Sequence, residues 1–143
     1  MGPKYIMALV PVTLVDVLWA QMEPHIQRVV DVAHDEVTLS SIKNRLLKAD
    51  SLAVAVCLDE EIVAVNLLEI RVFDSGVKAM YIPVVGGNYM DEWADQFLEV
   101  ATAIAKDFGC RELRGLAARK GWLRYLANKG WEEVNISLRC MID

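Results

Sequence analysis

Apolar residues recur at two different spacings along this chain, and the changes between them divide it into elements. Tyr5-Ile6-Met7-Ala8-Leu9-Val10-Pro11-Val12 reads as a short strand, with Pro11 near its end, where a missing ladder donor is tolerated. Val15, Leu18, Trp19, Met22, Ile26, Val29, Val30 and Ala33 then fall at helical spacing behind Thr13, which with Asp16 three residues on has the form of a capping box. Pro24 lies inside that pattern and has no N–H to give to the carbonyl four residues earlier, so a kink or two short helices is expected. Thr38 caps a second helix running to about Ala49, with Leu39, Ile42 and Leu46 inward.

From Ser51 the pattern turns to strands. Leu52 to Leu58, the turn Asp59-Glu60-Glu61, Ile62 to Phe73, the turn Asp74-Ser75-Gly76, and Val77 to Val85 predict an antiparallel meander. After Gly86-Gly87-Asn88, the stripe Trp93, Phe97, Ala101, Ile104 and Phe108 marks a long helix that Gly109 stops. Leu113 to Ala117 is a short strand, about Gly121 to Lys129 a helix stopped by Gly130, and Trp131 to Ile142 a closing strand. The predicted order is β-α-α-β-β-β-α-β-α-β, one α/β (α+β) domain over 1–143 with a mixed, mostly antiparallel sheet flanked by helices. The strand-helix-strand crossover must be right-handed, which sets Leu113 to Ala117 parallel to Val77 to Val85. A ligand is expected beyond the carboxyl ends of those strands, where the loop Val85 to Tyr89 opens the long helix.

Composition narrows the class. The chain has 143 residues, 55% hydrophobic and 24% charged, enough for an ample core. The mean hydropathy of +0.27 is high, yet no apolar run reaches the roughly 18 to 20 residues of a spanning helix, so no membrane association is expected. Met1-Gly2-Pro3-Lys4-Tyr5 leads into a stretch broken by Pro11 and Asp16, unlike a signal peptide, and a cytoplasmic location is expected. Cys57, Cys110 and Cys140 are odd in number and widely spaced, as buried thiols rather than a disulfide framework or zinc knuckle. A net charge of −5 argues against binding nucleic acid through phosphate neutralisation. His25 and His34 lack partners at metal-ligand spacing, and no metal is expected. Hydrolase triads, Walker loops and dinucleotide fingerprints are absent from the sequence.

Four features carry candidate chemistry. His34-Asp35-Glu36 between the first two helices holds a candidate general base, and the same residues suit a polar connection. Glu69 interrupts an apolar strand; it is a candidate base, or faces solvent by alternation with Ile70. Gly86-Gly87-Asn88 is a candidate anion nest or a simple turn. Arg111, Arg114, Arg119, Lys120, Arg124 and Lys129 face only Glu112, a basic segment on an acidic chain that suits a polyanion, an acidic partner or a solvated helix face.

The element order, together with Arg124-Tyr125-Leu126-Ala127-Asn128-Lys129-Gly130-Trp131, resembles the GCN5-related N-acetyltransferase (GNAT) superfamily, whose late helix often ends in a similar "R-F-Y-E-K-x-G-F" run. The resemblance implies an acyl-CoA-dependent N-acyltransferase with acetyl-CoA as cofactor and an amine as partner. It places the thioester along the strand backbone at Tyr81, Val84 and Val85, the phosphates at Gly86, Gly87 and Asn88 with Arg119 and Arg124, and the base at Glu69 or His34. The family's pyrophosphate loop has Gln or Arg, then two residues, Gly, one residue, and Gly or Ala. Laid onto Tyr89-Met90-Asp91-Glu92-Trp93-Ala94, only Ala94 fits, and two carboxylates stand where phosphate would lie. Leu126 occupies the position of the family's proton-returning tyrosine, and Tyr125 is turned about 100° from it on the helix. These departures imply a degenerate member and open an alternative: a non-catalytic binding, assembly or host-interaction protein of the same fold, as in some small phage-encoded virion proteins. Trp19, Trp93, Trp122 and Trp131, if exposed, would supply a self-association surface.

Overall fold

A computed structural model describes residues 4–33, 35–116 and 120–142. Its elements are β1 (Ile6–Leu9), α1 (Val15–Val30), α2 (Leu39–Leu47), β2 (Leu52–Leu58), β3 (Glu61–Val72), β4 (Lys78–Gly87), α3 (Met90–Asp107), β5 (Glu112–Gly115) and α4 (Lys120–Ala127). The strands form one sheet in the order β1-β2-β3-β4-β5. All neighbours are antiparallel except β4 and β5, which run parallel, as a strand-helix-strand crossover requires.

The sheet is covered on both faces. On one, Trp93, Phe97, Ala101 and Ala105 of α3 pack onto Val54, Val56, Leu68, Met80 and Ile82. On the other, Val15, Met22 and Ile26 of α1 and Ile42 and Leu46 of α2 pack onto Ala53, Val65 and Leu67. Full burial of side chains this large contributes about 1.5–3 kcal/mol each before ordering costs. Trp93 and Phe97 meet edge to face, with ring centroids 6.2 Å apart.

The chain punctuates these elements as its local chemistry dictates. Thr38 and Ser41 form a reciprocal capping box at the start of α2. Gly109 and Gly130, both at positive φ, end α3 and α4. In each case the glycine N–H and the next N–H turn back onto carbonyls of the last turn, Lys106 and Ala105 in one, Ala127 and Leu126 in the other. The β2–β3 hairpin turns on Asp59 and Glu60, both left-handed, so Glu61 belongs to the strand.

Four expectations are corrected. Of the two outcomes expected at Pro24, the division into two short helices does not occur: α1 is a single element with Pro24 on its exposed side. Thr13 does not cap α1, because Val12–Leu14 form a 3-10 turn that feeds Leu14 into the helix without a side-chain cap. The loop expected from Val85 to Tyr89 is shorter, since β4 continues through Gly86 and Gly87, paired to Val65 and Ala64. The closing strand Trp131 to Ile142 joins no ladder among the described residues, and beyond the half-buried Trp131 its apolar side chains Val134, Ile136, Leu138, Met141 and Ile142 lie in solvent. Alternation qualifies a segment as a strand only where another strand receives it, and β5, the neighbour it would join, is four residues long.

Candidate functional site

β4 parts from β5 at a defined point. The parallel ladder runs from Ala79 opposite Glu112 to Ile82 opposite Gly115 and stops there, while β4 continues through Pro83 to Gly87 bonded to β3 on one side. At this same point Leu67 pairs with Val84 and Glu69 with Tyr81, so Ile82 and Pro83 together oppose the single residue Leu68. That is a β-bulge, which bends the strand, and Pro83 has no N–H to give to a neighbour. The sequence thus opens a gap beside the outer edge of β4, and the backbone groups there are free of strand partners among the described residues.

Side chains on the α1–α2 face of the sheet converge around Glu69, whose register partner Tyr81 precedes Ile82, the last β4 residue paired to β5. Glu69 stands opposite Tyr81, and its side chain is only 11% exposed. Ser51 Oγ donates to Glu69 Oε1 at 2.7 Å, while Arg45 and Arg71 each bring a guanidinium nitrogen to 3.4 Å from the carboxylate. Arg71 also lies over the Tyr81 ring, 3.6 Å from its centroid. Burial pushes the Tyr81 phenol above its ordinary value, and Arg71 opposes that shift. Glu69 is therefore not a solvent-facing alternate of Ile70; it is an oriented, largely buried carboxylate on β3, opposite Tyr81. Arg45, Ser51 and Arg71 were not singled out by sequence, because their role depends on α2 ending beside β3.

At the top of the gap α3 begins at Met90, with Tyr89 before it in the left-handed region. Asn88 is held at three points. Its N–H donates to the Val63 carbonyl at 2.7 Å, its carbonyl accepts from Trp93 Nε1 at 2.7 Å, and its Oδ1 accepts from Arg28 Nη1 at 2.9 Å. The Asn88 N–H is thus committed to the sheet, and Gly86 and Gly87 lie in a strand, so the three residues do not form the concave turn of an anion nest. Asp91 and Glu92 occupy the first turn of α3, exposed. Arg28, reaching from α1, is the cation brought to this end, and no sequence spacing marked it.

The late helix faces elsewhere. The Tyr125 hydroxyl donates to Asp95 of α3, whose other partner is Lys129 Nζ at 3.1 Å. Burial and then Asp95 push the Tyr125 phenol well above its ordinary value, and its hydrogen bond holds the Asp95 carboxyl below the usual range. Leu126 is buried, and Arg124 is exposed. His34 and Arg119 lie outside the described residues. Of the basic segment, Arg114 is paired with Glu112 at 3.2 Å and Lys129 with Asp95, which leaves less free positive charge there than the sequence suggests. None of the four tryptophans is exposed: Trp93 is buried and Trp19, Trp122 and Trp131 are half-buried, so they offer no self-association surface.

Solved structures share this architecture over nearly the whole chain. An aminoglycoside acetyltransferase from an uncultured soil metagenomic sample superposes with a TM-score of 0.73 at 12% identity, covering 98% of this chain and 99% of that one. A predicted acetyltransferase with acetyl-CoA from Clostridium acetobutylicum gives 0.69 at 12% identity, covering 96% of each chain. An aminoglycoside N-acetyltransferase in complex with CoA gives 0.68 at 14% identity, covering 99% of this chain and 97% of that one. The fold is the GNAT fold. Its five strands and four helices match element for element what the periodicity predicted, apart from the closing strand. No protein-family model and no curated protein sequence matches the chain. Among the described residues of this GNAT fold, no three His, Cys, Asp or Glu side chains gather as a metal site.

Proposed function

We propose that this protein is an acyl-CoA-dependent N-acyltransferase whose phosphate end departs from the usual loop. The observation that carries the reading is the parting of β4 from β5 after Ile82–Gly115, with a β4 edge beyond it that has no strand partner among the described residues and the largely buried Glu69 carboxylate opposite Tyr81. The free edge of β4 from Pro83 to Gly87 suits the amide groups of a pantetheine arm, which binds as an added strand would. At the phosphate end Arg28 supplies the positive charge, since the first turn of α3 is acidic. When bound, acetyl-CoA supplies an acyl group activated as a thioester. Glu69 attracts the protonated amine and takes up its proton, directly or through a water, while Ser51, Arg45 and Arg71 fix the carboxylate's orientation. Aminoglycosides are the first amines to test, because similar structures carry that activity in their names.

Asp91 and Glu92 favour a second reading, in which the fold binds a partner without catalysis in a cytoplasmic or virion setting. Calorimetric titration with acetyl-CoA and CoA at low and physiological salt separates the two. Micromolar, salt-sensitive binding, about 8 kcal/mol, is the expected result; no heat at millimolar ligand overturns the transferase.

A further inference from the structure

The segment after α4 is the part of the molecule least accounted for by its own fold. Trp131 is anchored, its N–H bonded to the Leu126 carbonyl and its ring against Gly115 at the end of β5. Beyond it Val134, Ile136 and Leu138 are 63%, 76% and 91% exposed, and Ile142 is 96% exposed. Single exposed apolar residues are ordinary; a strand-period row of them is not. From residue 133 on, even-numbered positions carry Val134, Ile136, Leu138, Cys140 and Ile142, while Glu133, Asn135, Ser137 and Arg139 alternate with them, followed by the apolar Met141.

We propose that residues 133–139 pair with the same residues of a second copy of this chain, antiparallel about a twofold axis at Ile136. Two properties of the segment select that occupant. The first is length. β5 is four residues long, so addition to its edge engages about as many residues of the segment and leaves the backbone of Ile136 to Arg139 without a strand partner. The second is charge. In the register centred on Ile136, Val134 opposes Leu138, Asn135 opposes Ser137, and Glu133 opposes Arg139 twice over. Moving the centre to Asn135 sets Glu132 against Leu138, and moving it to Ser137 sets Arg139 against Asn135; both lose the charge pair. Centres between residues set apolar side chains against polar ones. Twofold pairs of this kind are the commonest closed assembly, since one self-complementary patch serves both copies. The contact Arg139 makes within its own chain, 4.0 Å from the exposed Asp35 carboxylate, is a surface pair of little consequence and gives way to Glu133. This inference is independent of whether the gap beside β4 binds acyl-CoA.

The test is sedimentation equilibrium of the full chain with charge reversals. Wild type is expected to dimerise. Glu133→Arg and Arg139→Glu alone each weaken the dimer about tenfold, because two facing pairs turn repulsive at once, and the double variant recovers it. Register is read by oxidation in a Cys140→Ser background. Ile136→Cys meets its own copy across the axis at about 4.5–5.5 Å between Cα atoms, within disulfide range. Val134→Cys is offset by about 13 Å from its copy and does not crosslink. A chain that stays monomeric at millimolar concentration overturns the proposal, as addition of the segment to its own β5 predicts. So does a dimer indifferent to both reversals, or one that Ile136→Cys fails to lock; either places the segment on another edge of the second copy.

Discussion

Ser51 Oγ donates a 2.7 Å hydrogen bond to Glu69 Oε1, joining the residue just before β2 to a carboxylate in the second half of β3. With Arg45 and Arg71 the hydroxyl fixes where Glu69 points, and the charge is held on β3 opposite Tyr81. Glu69→Gln keeps the size and the Ser51 contact but removes the proton acceptor. Its kcat/KM for acetyl transfer to an amine is expected to fall about a hundredfold or more, with the urea unfolding midpoint little changed. Ser51→Ala is expected to do the reverse in emphasis. It costs about 1.5 kcal/mol of stability, as loss of a hydrogen bond to a charged group does, with a smaller loss of rate. Steady-state kinetics and urea unfolding on both variants check the assignment, and equal rate losses would mean that Glu69 only positions.

The acidic first turn of α3 sets stability against ligand binding. Asp91 and Glu92 sit at the positive end of an 18-residue helix, where each contributes about 0.3–1 kcal/mol. Facing phosphate near a protein surface, each costs on the order of 4 kcal/mol at 4 Å. The double variant Asp91→Lys with Glu92→Gly is therefore expected to bind CoA at least about tenfold tighter, roughly 1.4 kcal/mol, while melting lower. Arg28→Ala is expected to weaken binding in both backgrounds, since its guanidinium stands beside Asn88 at the same end. Calorimetry and thermal melts read the two effects separately, and no gain in affinity would assign the obstacle to loop shape rather than charge.

Asn66 is fully buried in β3, between Val54 and Val85, and neither atom of its amide has a hydrogen-bond partner. Ala64 and Leu68, two residues to either side, belong to the core under α3, so Asn66 projects into that core as well. An unsatisfied buried amide is costly, and replacing it by an apolar side chain of similar size removes the penalty. Asn66→Leu is expected to raise stability by about 1 kcal/mol, read as a higher urea midpoint at unchanged slope. A lower midpoint would reveal a partner for the amide.

Asn66 shows where sequence reading reaches its limit. Periodicity placed it in a strand, as it placed every helix and five strands, because burial on one face of a regular element is written in the spacing of apolar residues. Glycine stops at 109 and 130 and the Thr38 cap were legible for the same reason: each is a local conformational requirement. Pro24 leaves α1 undivided because tertiary packing of Met22 and Ile26 holds the helix together across the lost hydrogen bond. The bulge at Ile82–Pro83, the grip of Arg45 and Ser51 on Glu69, and Arg28 beside Asn88 join residues far apart in the chain, and no spacing encodes them. The closing segment failed differently. Its alternation is real, but what it pairs with lies outside its own described fold.

His25 gives the fold a sensitivity to acid. It is buried in α1 with Nε2 hydrogen-bonded to the Ile62 carbonyl at 3.1 Å, so that nitrogen carries the proton, and Nδ1 is buried without a partner. Burial, foremost, lowers its pKa from the ordinary 6.5; the Ile62 bond opposes that shift, and the nearby Arg28 charge adds to it. The unfolded chain therefore binds a proton at higher pH than the folded one does. Stability is complete above the unfolded value of 6.5, falls as pH drops below it, and levels off beneath the depressed folded value. His25→Gln retains a donor toward Ile62 and cannot take up the charge. Urea unfolding between neutral pH and pH about 5 is expected to show wild type losing stability more steeply than His25→Gln, the two curves converging in shape above neutrality. Parallel curves across the range would mean that His25 opens to solvent before it is protonated, and that the acid sensitivity of the fold lies with other groups.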